Sequence, residues 1–260
     1  MDLNLNNKNA LVCGSTAGIG KATAICLANE GVNVTLVARN REKLKEVLSE
    51  LPEGGKHNYI VADFSNPREL QEQVIKFIDQ FHGFHILVNN SGGPRSGEIL
   101  TASLVEFENA FTQHLKCSHV LAQSTIPFMK EEGFGRIINI ISTSVKEPIP
   151  GLGVSNTIRG AVGNWSKTLA TEVGQFGITV NNVLPGFTET ERLNEIINIK
   201  AENEGTTFEA MAEIMKNYSP SKRFAQPEET AKVITFLASD AASYINGINV
   251  PVDGGRTKSL

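Results

Sequence analysis

The amino-acid sequence predicts an α/β fold: a Rossmann-type, doubly wound parallel sheet of about seven strands within one domain, residues 1–260. Short apolar runs recur along the chain, and several are continuously apolar, as is typical of parallel strands covered on both faces. Helix-like segments separate the runs, and a glycine-rich turn follows the first run. The predicted strands are residues 9–13, 32–38, 59–62, 85–88, 136–141, 178–184 and 248–252.

The segments between these runs carry helix signals. Residues 19–27 place apolar side chains at helical spacing and end before Gly31. Residues 67–81 have one apolar face and begin with Pro67, at the position that helix openings favour. Further helices are predicted over residues 103–130 and 153–176, and from residue 227 onward.

One insertion interrupts the alternation of strands and helices. Residues 187–222 follow the sixth strand and contain two polar amphipathic patterns, at about 190–203 and 207–217. Loops at the carboxyl ends of strands build the ligand crevice in sheets of this type, so we predict that the insertion is a substrate lid. A surface decoration without a role in binding is the alternative.

Composition and charge exclude several classes of function. The formal net charge of −4 argues against nucleic acid or an anionic membrane as a partner. Cys13, Cys26 and Cys117 are too widely spaced for a metal site, and their odd number favours a reducing compartment. No stretch approaches the roughly 18 apolar residues that a membrane span requires. We therefore expect a cytoplasmic protein without a metal.

The turn after the first strand has the composition of a pyrophosphate-binding loop. Gly14 permits a tight turn, Gly18 lets the backbone approach a ligand, and Gly20 lets helix and strand pack closely. A phosphate would then lie at the positive end of the helix, among unpaired N–H groups. We predict a dinucleotide site that includes Gly14, Ser15, Thr16, Gly18, Ile19 and Gly20.

Two further residues bear on which dinucleotide binds. Arg39 ends the second strand, where NAD-specific sites usually carry an acidic residue. Its guanidinium can stack on adenine or pair with a 2′-phosphate, so the sequence favours NADP(H) over NAD(H). An ordinary solvated arginine is the alternative. Asp63, after the third strand, is a candidate acceptor for the adenine amino group, and a turn or helix-cap role is its alternative.

Several further motifs follow the glycine turn along the chain. They are Asn89-Asn90-Ser91-Gly92, residues 135–139 leading to Ser142, residues 177–181, Pro185-Gly186 with Thr188 and Thr190, and residues 252–255. Together and in this order, the motifs resemble those of the short-chain dehydrogenase/reductase superfamily over essentially the whole chain, and among its members they are most similar to 3-oxoacyl-carrier-protein reductases. The resemblance implies an oxidoreductase that acts on a small-molecule carbonyl or alcohol. It also implies a homo-oligomer, a tetramer or dimer, that assembles through the helices at 103–130 and 153–176. Of the motif residues, the resemblance implies cofactor contacts from Asn90, Ser91, Gly92, Pro185, Gly186, Thr188 and Thr190.

The family's catalytic positions are only partly retained. In the family a serine orients the carbonyl, a tyrosine passes the proton, a lysine binds the nicotinamide ribose, and an asparagine holds a water. Ser142 matches the serine. The tyrosine, lysine and asparagine positions hold Ser155, Arg159 and His114.

These substitutions change the expected proton chemistry. Arg159 keeps a cation for the ribose, but with a pKa above about 12 it cannot end a proton relay. The hydroxyl of Ser155 is shorter and less acidic than a phenol, so a water would have to fill the gap. His114, with an ordinary pKa around 6.5, could donate the proton directly or through water held by Ser155 and Ser142. A buried histidine without a catalytic role is the alternative.

Some charged and aromatic residues remain open in role. Arg95 could meet an anionic substrate or face solvent, and Lys146 and Glu147 lie close to Ser142 or are solvated loop charges. Tyr218, in the insertion, could swing inward. Two functions therefore stay open: an unconventional NADPH-dependent carbonyl reductase or alcohol dehydrogenase, and an NADP(H)-binding regulator or scaffold without turnover.

Overall fold

The computed structural model of the chain describes residues 2–81 and 83–259. Within these residues the strands are β1 (Asn9–Cys13), β2 (Asn33–Ala38), β3 (Asn58–Val61), β4 (Ile86–Asn89), β5 (Gly135–Ile140), β6 (Ile178–Pro185) and β7 (Asn249–Val252). They form a seven-stranded sheet in the order β3-β2-β1-β4-β5-β6-β7, and each neighbouring pair is parallel. The order reverses between β1 and β4, so the crevice for a ligand is expected at the carboxyl ends of these two strands. The predicted fold class and all seven strands are confirmed.

Helices cover both faces of the sheet. Within the described residues they are α1 (Gly18–Asn29), α2 (Arg41–Glu50), α3 (Pro67–Gln80), α4 (Leu104–Phe111), α5 (Cys117–Glu131), α6 (Gly153–Val173), α7 (Glu191–Glu204), α8 (Phe208–Lys216) and α9 (Pro227–Leu237). Asn40 and Asn66 cap α2 and α3 by accepting hydrogen bonds from backbone N–H groups, and Ser103 forms a capping box with Glu106 at α4. The sequence pattern had not indicated α2.

The core consists of two apolar layers, one on each face of the sheet. Ala10 and Val12 of β1 belong to the layer under α1, α2 and α9, whereas Leu11 and Cys13 belong to the layer under α3, α5 and α6. Alternate side chains of one strand thus enter opposite layers, which explains why the run is apolar at every position. This burial on both faces fixes the register of the strands that carry the site.

The insertion forms a small apolar cluster of its own. Leu193 and Ile197 of α7 pack against Met211 and Met215 of α8. The predicted helices at 190–203 and 207–217 are confirmed. Arg192 donates a hydrogen bond from Nη2 to the carbonyl oxygen of Pro94, 2.7 Å away, so the insertion touches the loop that follows β4.

Candidate active site

The glycine turn leaves no room for side chains at its key positions. Gly14 and Gly18 have φ values of +57° and +51°, which favour glycine. A Cβ on Gly20 would lie 2.1 Å from the carbonyl oxygen of Gly14, and one on Gly14 would lie 2.7 Å from Asn90 Nδ2. A Cβ on Gly18 would lie 2.9 Å from Thr190 Cγ2. The glycine turn after β1, Asn90 after β4 and Thr190 before α7 are therefore in close contact.

The glycine turn opens into the N-terminus of α1. Ala17 at the N-cap provides no side-chain hydrogen bond, so the first N–H groups of α1 are not capped by it. Ser15 is buried, and its backbone N–H and hydroxyl both point to the carbonyl oxygen of Val37 at 3.5 Å. Asn90 Nδ2 donates to the carbonyl oxygen of Gly14 at 3.2 Å, which ties β4 to the turn. The arrangement suits a phosphate at the helix N-terminus.

The adenosine side of the crevice is formed around the ends of β2 and β3. Arg39 is exposed beyond the last residue of β2. Arg41 lies over the ring of Tyr59, 6.0 Å from its centroid. Asp63 Oδ1 accepts a hydrogen bond from the N–H of Ser65 at 2.8 Å, which is the turn role given above as its alternative. Cofactor contacts from Arg39 and Asp63 stay predictions.

His114 lies where the predicted helix over 103–130 changes from α-helical to π-helical hydrogen bonding. A π-helical turn at Thr112–Lys116 separates α4 from α5, so the single continuous α-helix that we expected is corrected to three segments. Turns of this kind are frequent at functional sites. His114 is buried, with 4% of its surface exposed, and its Nδ1 lies 2.7 Å from Ser91 Oγ.

Arg159 reaches the same place from α6. Its side chain is 9% exposed, and Nη1 donates to the carbonyl oxygen of Ile140 at 2.9 Å. A Cβ on Gly93 would lie 3.9 Å from Nη2. The guanidinium thus sits between the end of β5 and the loop after β4.

His114 and Arg159 line one cavity at the carboxyl ends of β4 and β5. Three of its polar atoms are buried without a hydrogen-bond partner within residues 2–81 and 83–259: Asn89 Oδ1, His114 Nε2 and Arg159 Nε. Buried polar atoms are normally paired, so these three atoms are available to hydrogen-bond a water or a ligand in the cavity. The cavity is lined by Phe64, Asn89, Asn90, Ser91, Gln113, His114, Ser118, Asn139, Ile140, Ile141, Arg159 and Val162.

Burial shifts the pKa values of His114 and Arg159 and so affects their charge. Loss of hydration, with a smaller effect from the charge of Arg159, lowers the pKa of His114 to about 2. The imidazole is therefore neutral at physiological pH, and our expectation of a histidine that titrates near neutrality is corrected. Burial also lowers the pKa of Arg159 to about 10, which leaves it charged at neutral pH.

The lowered pKa of His114 predicts acid sensitivity of the fold. Because the unfolded chain binds a proton at this residue below pH 6.5 and the folded chain does not, folding stability falls as the pH drops from 6.5 toward 2. The wild type should lose about 1.4 kcal/mol per pH unit more than His114→Gln between pH 6 and 4. Urea unfolding at several pH values measures this difference. Equal slopes for the two proteins would contradict the burial of a neutral His114.

Ser142 and Ser155 lie outside this cavity. Ser142, at the end of β5, accepts a hydrogen bond on Oγ from the N–H of Ser144 at 3.1 Å and caps the short helical turn at Thr143–Val145. Ser155 is half-buried in the first turn of α6, one turn before Arg159. The structure therefore brings Asn90, Ser91, His114 and Arg159 together, and neither serine belongs to the residues that line their cavity.

The segment after β6 links the glycine turn to the insertion. Pro185 ends β6, and Thr190 caps α7 by accepting a hydrogen bond from the N–H of Leu193. Thr188 is buried and donates to the carbonyl oxygen of Gly186 at 3.3 Å. A ligand against Gly18 would therefore also meet Thr190, and through it α7.

Comparison with known proteins identifies the family. A family model described as Enoyl-(Acyl carrier protein) reductase matches residues 14–257. The chain belongs to the short-chain dehydrogenase/reductase superfamily.

Relatives of this superfamily member match it over nearly its full length. It is 32% identical to a D-beta-hydroxybutyrate dehydrogenase of Rhizobium meliloti, over 96% of this chain and 98% of the relative. It is 33% identical to a 3-oxoacyl-[acyl-carrier-protein] reductase of Synechocystis, over 95% of each chain. The crystal structure of L-sorbose reductase from Gluconobacter frateurii, complexed with NADPH and L-sorbose, superposes with a TM-score of 0.94 at 32% identity, covering both chains completely.

The residues of this superfamily member fit a nicotinamide dinucleotide. Gly14, Gly18 and Gly20 allow the turn to pack closely against Asn90 and Thr190, which is the tight geometry that a pyrophosphate-binding turn requires. Among the described residues, no helix is long and apolar enough to cross a bilayer, and no group of three or more histidine, cysteine or acidic residues could hold a metal ion.

The sequence analysis named Asn89 and Asn139 only as members of motifs and predicted no site role for them, nor for Gln113 and Ser118, yet all four line the cavity. Asn89 Nδ2 donates to Asn139 Oδ1 at 2.8 Å, and Asn139 Nδ2 donates to Ser166 Oγ and to Asn182 Oδ1. The signal was an asparagine inside each of two apolar strands, a residue type that strands disfavour. Such a residue in a buried strand requires polar partners.

Proposed function

We propose that this chain is an NADP(H)-dependent short-chain dehydrogenase/reductase that reduces a small carbonyl compound or oxidises the corresponding alcohol. Its proton relay would use water, His114 and Arg159 instead of a tyrosine. The observation that carries the proposal is a pair of buried nitrogens on one cavity, His114 Nε2 and Arg159 Nε, that have no hydrogen-bond partner in the part of the chain that the structure describes. A regulator that only binds the cofactor has no need of them.

The residues that would hold the cofactor are those of the glycine turn, Arg39 and Arg159. The turn would take the pyrophosphate, Arg39 the 2′-phosphate, and Arg159 the nicotinamide ribose. When bound, the nicotinamide supplies or accepts the hydride. The NADPH in the L-sorbose reductase complex supports NADP(H) as the cofactor here.

The proton would come from a water in the cavity, and the hydroxide left behind would take a proton from bulk solvent through further waters, so that each reduction consumes one solvent proton. Ser91 Oγ lies 2.7 Å from His114 Nδ1, and in the tautomer that this relay requires, the hydroxyl of Ser91 would donate to Nδ1 and the ring hydrogen would be on Nε2. A water can accept from His114 Nε2–H and Arg159 Nε–H and donate to Asn89 Oδ1, which satisfies all three unpartnered atoms. The neutral imidazole then orients the water, as an N–H donor, without itself changing charge.

Ser142, Ser155 and Arg159 would act on the carbonyl oxygen of the substrate. Ser142 would hydrogen-bond to the carbonyl oxygen, and Ser155 would hold a second water close to it. Arg159 would stabilise the negative charge that develops on that oxygen. Without a phenol as general acid, the rate is expected to be lower by up to about 10²–10⁴-fold than with one.

The proposal is tested by measuring NADPH oxidation by the protein with a panel of aldehydes and ketones. The wild type should oxidise NADPH slowly with at least one carbonyl, and Ser142→Ala should lose that turnover while still binding NADPH. Tight NADPH binding without any turnover would favour the second candidate, an NADP(H)-binding regulator. The substitutions at the tyrosine, lysine and asparagine positions are the observation that favours that candidate.

The choice of cofactor can be tested at Arg39. Arg39→Gln should weaken NADPH binding about 10- to 100-fold, because a charge-assisted pair with the 2′-phosphate is lost, and should leave NADH binding unchanged. Fluorescence titration with both cofactors measures this. Arg68→Gln, an exposed change on α3, is the matched control. Equal losses for NADPH and NADH at Arg39→Gln would rule out a 2′-phosphate contact.

The insertion and the exposed face of α4 support two further parts of the proposal. We propose residues 187–222 as a substrate lid, since Arg192 already contacts the loop that follows β4 through Pro94. We also propose a homo-oligomer, because Leu100, Leu104 and Val105 are mostly exposed to solvent near the start of α4. Light scattering after size-exclusion chromatography measures the oligomeric state.

A further inference from the structure

A second cavity lies between the loop after β5 and the C-terminal tail. The residues that line it are Thr143, Glu147, Pro148, Ile149, Pro150, Arg256 and Thr257. Thr143 directly follows Ser142, and the tail leaves the sheet at the carboxyl end of β7. Ligands of open parallel sheets bind beyond the carboxyl ends of the strands, so this cavity lies on the substrate side of the molecule.

Arg256 is the cation of this cavity, and its guanidinium is held in place without being neutralised. The guanidinium carbon lies 4.3 Å from the ring centroid of Phe187, at the base of the insertion. Within residues 2–81 and 83–259 the N–H groups of the guanidinium form no hydrogen bond or ion pair, whereas the backbone N–H of Arg256 donates to the carbonyl oxygen of Asp253 at 3.3 Å. The stacking fixes the plane of the fork and leaves its donors available to a ligand.

The two carboxylates whose charges act on Arg256 accept hydrogen bonds from backbone N–H groups. Asp253 accepts hydrogen bonds from the backbone N–H groups of Gly255 and Thr257, at 3.0 and 2.8 Å. Glu147 Oε1 accepts from the N–H of Lys258 at 3.2 Å. Burial lowers the pKa of Arg256, and the charges of Asp253 and Glu147 offset part of this effect. The carboxylates therefore order the tail but leave the guanidinium without a direct partner.

The tail is also anchored from the insertion. Ser219 and Ser221 donate from their hydroxyls to the carbonyl oxygen of Gly254, at 2.8 and 3.1 Å. The remaining wall is stiff and mainly apolar, formed by Pro148, Ile149 and Pro150. An apolar wall opposite a fixed guanidinium suits a short carbon chain that ends in a carboxylate.

We propose that this cavity binds the carboxylate of the substrate through Arg256, so that the carbonyl compound is an oxo acid and the alcohol a hydroxy acid. The inference rests on the proposed function, since it names the substrate class of the same site. Glu147 lies in the same wall, and its charge would favour one carboxylate over two. Arg256 acts here as a binding residue that sets specificity.

Binding of 4-oxopentanoate and of its methyl ester, measured with and without NADPH, tests the inference. The full chain is titrated with each compound while the fluorescence of its single tryptophan, Trp165, and the thermal midpoint are recorded. The acid should bind and raise the midpoint, and the ester should bind about 10- to 100-fold more weakly. Arg256→Gln should remove this preference, with Arg68→Gln as the control that keeps it.

Turnover separates binding from chemistry. In Arg256→Gln, the KM for the acid should rise by about the same factor while kcat changes little, and the ester should be unaffected. Arg256→Lys keeps the charge but not the planar guanidinium, so its KM for the acid should lie between those of the wild type and Arg256→Gln. This variant replaces Arg256→Gln in the test if Arg256→Gln does not fold.

The outcomes distinguish this inference from the proposed function. If acid and ester bind equally to the wild type, or if Arg256→Gln and Arg256→Lys bind the acid as the wild type does, the inference is overturned. In that case, NADPH binding and turnover of the ester would leave the proposed function standing. If NADPH does not bind, the proposed function fails, and the titration of the cofactor-free chain with 4-oxopentanoate still decides whether Arg256 binds a carboxylate.

Discussion

Replacing Gly20 by alanine is expected to abolish dinucleotide binding and to destabilise the fold. The new Cβ would lie 2.1 Å from the carbonyl oxygen of Gly14 and 2.7 Å from Asn90 Nδ2. Neither group can move without shifting the glycine turn, because Asn90 Nδ2 also donates a hydrogen bond to the Gly14 carbonyl. Such overpacking costs about 1–3 kcal/mol or more, and the shifted backbone no longer approaches a pyrophosphate.

Fluorescence titration with NADPH and urea unfolding measure the two effects. Gly160→Ala in α6 is the matched control, since a Cβ there meets no atom within 4 Å. That control should bind NADPH normally and gain up to about 1 kcal/mol from the better helix former. Unchanged NADPH affinity in Gly20→Ala would show that the turn does not hold the cofactor.

Arg159→Met is expected to abolish most turnover and yet to leave the fold as stable as the wild type, or more stable. The guanidinium is a buried charge whose Nε has no hydrogen-bond partner among the described residues, and burial lowers its pKa to about 10. An uncompensated buried charge costs free energy, so an apolar side chain of similar length relieves a penalty. Loss of the cation near the reacting oxygen should lower kcat by about 10²–10⁴-fold.

His114 provides an independent readout of the same change. The charge of Arg159 contributes to the lowered pKa of His114, so Arg159→Met should raise that pKa while burial keeps it below the ordinary value. An NMR titration of the histidine ring signals measures the shift. Arg159→Lys should recover part of the turnover because it restores a charge without the planar fork. A variant that loses stability but keeps turnover would assign Arg159 a purely structural role.

Strand positions were predictable from the sequence because a strand that is buried on both faces appears as a short, mainly apolar run of residues. The run at residues 178–184 corresponds to β6, Ile178–Pro185, in which every side chain except that of Pro185 is buried and the apolar ones enter the layers on both faces. The helix over 103–130 was predictable only in outline. Apolar periodicity does not reveal the one-residue change of hydrogen-bond register that makes the π-helical turn at Thr112–Lys116.

The candidate site was predictable as a set of residue types but not as an electrostatic environment. Histidine titrates near 6.5 by its chemistry, and only the packing around α4, α5 and α6 explains why His114 stays neutral. The resemblance placed Ser142, Ser155, Arg159 and His114 in one catalytic group. The structure puts only His114 and Arg159 in the cavity with the unpartnered atoms. Arg256 gave no sequence signal because its position depends on Phe187 and on the folded tail.

Stopped-flow fluorescence of bound NADPH, after mixing with a reactive carbonyl between pH 6 and 9, tests the central claim most directly. A site that takes its proton from water beside a neutral His114 and a charged Arg159 predicts NADPH oxidation at a rate that changes little over this range. An inflection near pH 6.5 would contradict a neutral His114. Tight NADPH binding without any oxidation at any pH would contradict the relay itself.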